Sequence, residues 1–245
     1  MQETAKPETD APGTGPEAED EEPKYPVSIF TASELDRSGA LTENAVRLDE
    51  IRRLYPVVAG DGNHLFLDTE FTGSGGHQNR IIEVGVCEAD ANARETGGMQ
   101  FRCNPHRRST PGSRQIHGIM DFELRHCRDF SAYADDLLSY VEGRPVVVHD
   151  ASSDIPLLNW EYSHALRTDF RLQDHCTVID SLTLARLDPY SGGKFSLDAL
   201  SEWYGTRTRK GFHNAYDDAT ILSEVYREIL LDLEAVIRDG GWDEE

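Results

Sequence analysis

Lysine is nearly missing from this 245-residue chain: only Lys6, Lys24, Lys194 and Lys210 occur, and 24 basic residues against 45 acidic ones leave a net charge of −21. That balance excludes a broad basic glove, so a polyanionic partner would have to be met through metal ions and a few local cations. Acid-rich, lysine-poor usage also suits a protein kept soluble in high salt, or a high-GC genome that favours arginine. No run of about 18 apolar residues is present, which excludes a spanning helix. Met1-Gln2-Glu3 opens no basic and apolar leader, so a soluble, cytoplasmic protein is expected. The four cysteines, Cys87, Cys103, Cys127 and Cys176, form no C-x-x-C pair. This excludes a zinc ribbon or a disulfide framework and points to reduced thiols.

What is present divides the chain into four parts. Residues 1–26 hold eight acids, five prolines and two lysines, too little apolar surface to offset the entropy of ordering, and read as a disordered acidic tail. Residues 27–61 form an extension whose Leu41, Ala45, Leu48, Ile51 and Leu54 recur at helical spacing, predicting a helix that ends at Pro56 and packs on the next domain or on a partner. Residues 62–235 read as one domain, with 236–245 as a C-terminal tail. Within the domain, alternation and apolar runs predict strands at 64–70, 80–87 and 100–103 as an antiparallel meander, then short strands at 145–149 and 177–179. Helices are predicted over 131–141, then with Pro156 in the first turn, where a missing N–H costs nothing, and over 196–204, followed by a long final one.

The chemistry concentrates in the stretch His64 to Gly73. Side chains alternate along a strand, so Asp68 and Glu70 emerge together on one face at its end. Two carboxylates that close keep a proton between them unless a cation intervenes, and Mg²⁺ or Mn²⁺ is the usual cation for oxygen ligands. A strand running out into an acidic turn is the plain alternative. Asp154 follows the strand 145–149 at a strand-to-helix junction. In the last helix, Asp218 projects near the middle of the stripe formed by Ile221, Leu222, Val225, Tyr226 and Ile229, whereas Asp217 lies about 110° away, toward solvent. A carboxylate on a core-facing stripe is costly unless paired or metal-bound. His213 falls on the loop before that helix, and histidine is the side chain whose unperturbed pKa suits proton transfer near neutrality. Asp180 and Glu83 read as structural acids. Arg207, Arg209 and Lys210 either hold strand phosphates or form a solvated loop.

Leu67-Asp68-Thr69-Glu70-Phe71-Thr72-Gly73, Val148 to Asp154 and His213 to Ala219 resemble the three motifs of the DEDDh 3′–5′ exonucleases, above all the proofreading epsilon subunits of bacterial DNA polymerase III. Ile116-His117-Gly118-Ile119, Ile179-Asp180-Ser181-Leu182 and Ser196-Leu197-Asp198-Ala199-Leu200 add to the likeness, which covers about residues 62–232. The resemblance implies an α/β, ribonuclease H-like fold with a mixed central sheet between helices. It implies release of nucleoside 5′-monophosphates from DNA 3′ ends, two Mg²⁺ or Mn²⁺ ions on Asp68, Glu70, Asp154 and Asp218, and His213 as general base. Thr69, Phe71, Thr72 and His117 would bind substrate, with a capping role open for His117. Three positions depart from the pattern: Phe71 for threonine, Asp150 for asparagine and Ser153 for phenylalanine. An RNA substrate, as in oligoribonuclease-like relatives, or an inactive binding module are the rival readings. A replication or repair partner would dock on the N-terminal extension.

Overall fold

The computed structural model describes residues 44–73 and 79–239. The acidic tail and Leu41 lie outside the described residues, as does the side chain of Ala45. Five strands, β1 (His64–Phe71), β2 (Ile81–Ala89), β3 (Glu95–Arg102), β4 (Pro145–Val148) and β5 (Thr177–Asp180), form one sheet in the order β3-β2-β1-β4-β5. The first three are antiparallel, as the meander reading expects, and β4 and β5 join parallel to β1. The fold is therefore α/β and ribonuclease H-like, with a mixed sheet between helices. β3 begins five residues earlier than its sequence suggests. Gly97 and Gly98 look like turn residues but lie in this edge strand, and at Gly98 the Tyr216 ring occupies the space a Cβ would need.

Eight helices are described: α1 (Asn44–Ala59), α2 (Pro111–His117), α3 (Asp121–Leu124), α4 (Ala134–Val141), α5 (Ala151–Leu166), α6 (Ser181–Leu187), α7 (Leu197–Tyr204) and α8 (Ala215–Asp239). One face of the sheet is covered by α8 with α1, α6 and α7, in a core containing Ile51, Val58, Phe66, Val147, Leu222 and Tyr226. The other carries α4 and α5 over Leu65, Leu67, Val146, Val148, Leu137 and Leu158. β1 contributes Phe66 to one core and Leu65 and Leu67 to the other, as alternation demands.

Three expectations change. Pro56 does not end α1, which runs on to Ala59. A proline lacks only its own N–H, and this one sits in the last turn, where Gly60 N still reaches the Pro56 carbonyl at 3.3 Å. The apolar face of α1 is spent on its own domain: Leu48, Ile51, Leu54 and Val58 are buried beside α8, and Tyr226 donates to the Val58 carbonyl at 2.7 Å. The last helix does not stop at 235 but reaches Asp239, because Val236 extends its stripe and is buried. Pro156 lies six residues into α5, beyond the first turn expected for it.

Candidate active site

β1 and β4 are parallel, so their carboxyl ends open on the same edge of the sheet, the usual place for a ligand in such folds. Asp68 and Glu70 emerge there from the face of β1 that also carries Phe66. The turn after β4 starts α5 with Asp150 at φ 64°, a left-handed position that Asn and Asp tolerate better than most residues. The turn therefore accepts aspartate as it would asparagine. Its carboxylate accepts from Ser152 Oγ at 2.6 Å and Ser153 Oγ at 3.3 Å. Ser153 is thus exposed on the rim and not a core prop. Asp154, one helical turn further, is buried and accepts a 2.5 Å hydrogen bond from Thr69 Oγ1.

The third element arrives through a glycine. Gly85 pairs with Asp68 across the β1–β2 ladder, and a Cβ there would run into the backbone of Ala215 and Tyr216. Only a residue without a side chain lets α8 start that close to the sheet. Glu83 fixes the start by accepting from Ala215 N at 3.1 Å, while Arg102 neutralises it at 2.7 Å. Asn214 caps the helix with bonds from the Tyr216 and Asp217 amides, 3.1 Å each. The structural reading of Glu83 holds, as does that of Asp180, which caps α6 through Leu182 N at 3.0 Å. Asp218 then turns inward and is 2% exposed, whereas Asp217 faces solvent.

Ligand atoms of Glu70, His213 and Asp218 lie within 4.8 Å of one another. Asp68 sits close enough to the other carboxylates that, after burial, the charges of Asp154, Glu70 and Asp218 raise its pKa well above the carboxylate range. Burial, then the charges of Asp218 and Glu83, push Glu70 up to about 8. Burial takes Asp154 to about 7, with the Thr69 hydrogen bond pulling the other way. Such crowding of acids is what a divalent cation relieves, and hard oxygen donors with one imidazole fit Mg²⁺ or Mn²⁺. The donor set therefore fits the expected metal.

A positive group already reaches this cluster. Arg209 is neither solvated nor aimed at a strand: Nε donates to Asp218 Oδ1 at 2.8 Å and NH1 to both Asp198 oxygens at 2.7 Å. Arg207 pairs with Glu224 at 3.3 Å, and Lys210 is exposed. His213 stands on the loop, its Nδ1 3.3 Å from Asp218 Oδ2 and its amide bonded to the Ile116 carbonyl at 3.0 Å.

A cleft of about 860 Å³ opens over the acids, lined in part by Thr69, Phe71, His117, Asp150, Trp160 and His213. His117 both caps and lines. Its Nδ1 accepts from Ile119 N at 2.9 Å, so the proton sits on Nε2, which is buried without a partner. Burial, then the charges of Arg102 and Arg114, lower its pKa, keeping it neutral. Thr72 is wholly buried and accepts from Arg80 N at 3.1 Å, so it braces the wall and does not face the cleft. His149 is locked between Ser181 Oγ at 2.9 Å and the Phe195 carbonyl at 2.8 Å, leaving no free nitrogen for proton transfer. Trp160 on the rim was hidden in the sequence: a half-buried aromatic on a helix gives no signal of the cleft beside it.

The family described as Exonuclease matches residues 65–226, which include every residue of this cluster. The chain belongs to that exonuclease family. It is accordingly an enzyme, a 3′–5′ exonuclease that hydrolyses phosphodiesters. Its relatives include DNA polymerase III subunit epsilon of Rickettsia conorii, 34% identical over 168 residues covering 68% of this chain and 73% of the relative. The same subunit of Escherichia coli is 36% identical over 169 residues, covering 66% and 69%. Among solved structures, the zinc-bound E. coli ExoI–ssDNA complex shares the fold with a TM-score of 0.62 and 18% identity, over 73% of this exonuclease and 42% of that chain. Exonuclease X bound to 5′ overhanging duplex DNA gives 0.51 and 22%, over 69% and 91%. Among the described residues, no helix of the exonuclease is long and apolar enough to cross a membrane.

Proposed function

We propose that this exonuclease removes nucleoside 5′-monophosphates from the 3′ ends of single-stranded or frayed DNA by two-metal hydrolysis, in proofreading or repair. The observation that carries the reading is the meeting of four carboxylates from three elements beside a histidine: Asp68 and Glu70 on β1, Asp154 on α5 and Asp218 on α8. Two divalent ions on these acids would activate a water and stabilise the departing 3′-oxygen. The remaining work belongs to the chain. His213 Nδ1 faces Asp218 Oδ2 at 3.3 Å; with the proton held on Nδ1 the Nε2 lone pair is free, so the imidazole takes the water's proton as its oxygen attacks phosphorus. The bond from phosphorus to the 3′-oxygen of the preceding nucleotide breaks, and that oxygen takes a proton from solvent while His213 returns its own to solvent. Thr69 holds Asp154 in place. The buried His117 Nε2–H is a ready donor to a phosphate or sugar oxygen, and Phe71 supplies an apolar wall for the terminal nucleoside.

Digestion of 5′-labelled and 3′-labelled single strands tests this. With Mg²⁺ or Mn²⁺ the 5′ label should pass through a ladder of shortening products, the 3′ label should appear at once as mononucleotide, and EDTA should stop both. A 3′ label retained while the 5′ label is released would reverse the polarity. Matched DNA and RNA oligomers decide the sugar, and faster turnover of RNA would replace the DNA reading.

A further inference from the structure

Charge is unevenly spread over this acidic chain. Between residues 102 and 128 six arginines stand against Asp121 and Glu123 alone, a local positive excess in a chain of net −21. Arg102 is taken by Glu83 at 2.7 Å and Arg114 by Asp121 at 3.3 Å. Arg107, Arg108, Arg125 and Arg128 are exposed, and none has a carboxylate within ion-pair distance among the described residues. Arg128 only rests over the Tyr133 ring, 5.4 Å from its centroid.

The fold gathers these four. Asn104 N donates to the Arg128 carbonyl at 3.0 Å, Asn104 Nδ2 to the Arg125 carbonyl at 3.4 Å, and His106 meets Asp129 at 2.7 Å. The two arginine loops therefore lie side by side. Thr110 N, just after Arg108, bonds to the Thr72 carbonyl at 2.7 Å, and Thr110 lines the catalytic cleft. A second cleft of about 440 Å³, lined by His164 and Arg167 and by two acids already held, Glu161 by Arg80 at 2.7 Å and Asp129 by His106 at 2.7 Å, lies next to the first. Trp160 joins them: its ring lines the catalytic cleft, carries the Arg80 guanidinium at 4.8 Å and stacks on His164 at 5.2 Å.

From this geometry we infer that the 5′-ward part of a substrate strand leaves the catalytic cleft past Trp160, crosses the second cleft and lays its phosphates against Arg107, Arg108, Arg125 and Arg128. The inference rests on the exonuclease reading and adds a tracking surface to it. Aromatic rings followed by unpaired guanidinium groups suit successive bases and phosphates of a single strand. Elsewhere the acidic surface repels a polyanion, so this face is where approach is electrostatically favourable.

The test uses the full chain carrying Arg107→Gln, Arg108→Gln, Arg125→Gln and Arg128→Gln together. Hydrolysis of the p-nitrophenyl ester of thymidine 5′-monophosphate and of a dinucleotide, neither long enough to reach the arginines, should match wild type. KM for a 20-nucleotide strand should rise about tenfold or more at ~0.1 M salt with kcat unchanged. The slope of log KM against log salt should fall by about 3, from about 0.7 per phosphate released. An unchanged KM for the long strand, or an equal rise for the dinucleotide, would overturn the tracking surface. Binding of a fluorescent 20-nucleotide strand in EDTA gives a readout independent of catalysis. Weaker, less salt-sensitive binding by the variant supports the surface and equal binding refutes it, whereas failure of wild type to hydrolyse the ester would count against the nuclease reading instead.

Discussion

The crowded acids make the metal-free enzyme pH-sensitive in a direction that can be worked out. Glu70, raised from 4.5 to about 8, keeps a proton in the folded site that it gives up in the unfolded chain throughout that interval. The folded state then binds more protons, so stability must fall as pH rises from about 4.5 to about 8. At 1.36 kcal/mol per pH unit, one group loses at most about 5 kcal/mol over this window. At roughly 2–4 °C per kcal/mol for a domain of this size, that is a fall in Tm on the order of 10 °C. Thermal unfolding in EDTA at pH 5 to 8 measures it, and two controls isolate the cause. Glu70→Gln keeps the shape but removes the titration, so its Tm should fall less steeply. Mn²⁺ should raise the wild-type Tm more at pH 8 than at pH 6, because ions compete with protons for the same oxygens. Self-repulsion of a chain of net −21 would also lower stability with pH but would leave the Glu70→Gln slope unaltered. A metal-free Tm that is level or rising across the window, or an equal slope in Glu70→Gln, would refute the reasoning.

Other substitutions probe separate links. Asp218→Ala should lower kcat by ~10³-fold or more, whereas Asp217→Ala, on the solvent side, should stay within about 0.5 kcal/mol of wild-type stability and near wild-type rate; equal damage would overturn the facing argument. Thr69→Val frees Asp154 and removes a bond to its charged form, so kcat should fall about 10–100-fold and the acidic limb of the pH–rate profile should move upward. An unmoved limb would leave Thr69 no role in setting that carboxylate. Ile51→Ala should cost about 2–5 kcal/mol in urea unfolding, since the side chain is 1% exposed; a negligible loss would mean α1 is not part of the folded domain.

How much of this was legible in the sequence depended on period and chemistry. Alternation put Asp68 and Glu70 on one face, and helical phase separated Asp218 from Asp217, because both are local consequences of backbone geometry. The meander follows from short links, and the burial of β4 on both faces from an unalternating apolar run; that β4 joins parallel to β1 came only with the family resemblance and its mixed sheet. Gly97 and Gly98 hid the start of β3, since the reason for Gly98 is a ring from α8 more than a hundred residues later. Gly85 gave no sign that it admits the helix start, for the same reason. Arg209 could be read only as a phosphate contact or a solvated loop residue, because its partners, Asp198 and Asp218, meet only in the fold. Pro56 and Pro156 misled as punctuation: each costs one backbone bond, and tertiary packing carries the helix through.

The central claim, that Asp68, Glu70, Asp154 and Asp218 jointly hold divalent ions, is tested most directly by anomalous diffraction from crystals soaked in Mn²⁺ with thymidine 5′-monophosphate. The account predicts two peaks about 4 Å apart, each within ligand distance of at least one β1 carboxylate, with Asp154 and Asp218 in contact. Peaks elsewhere, or none while the nucleotide is bound, would contradict it.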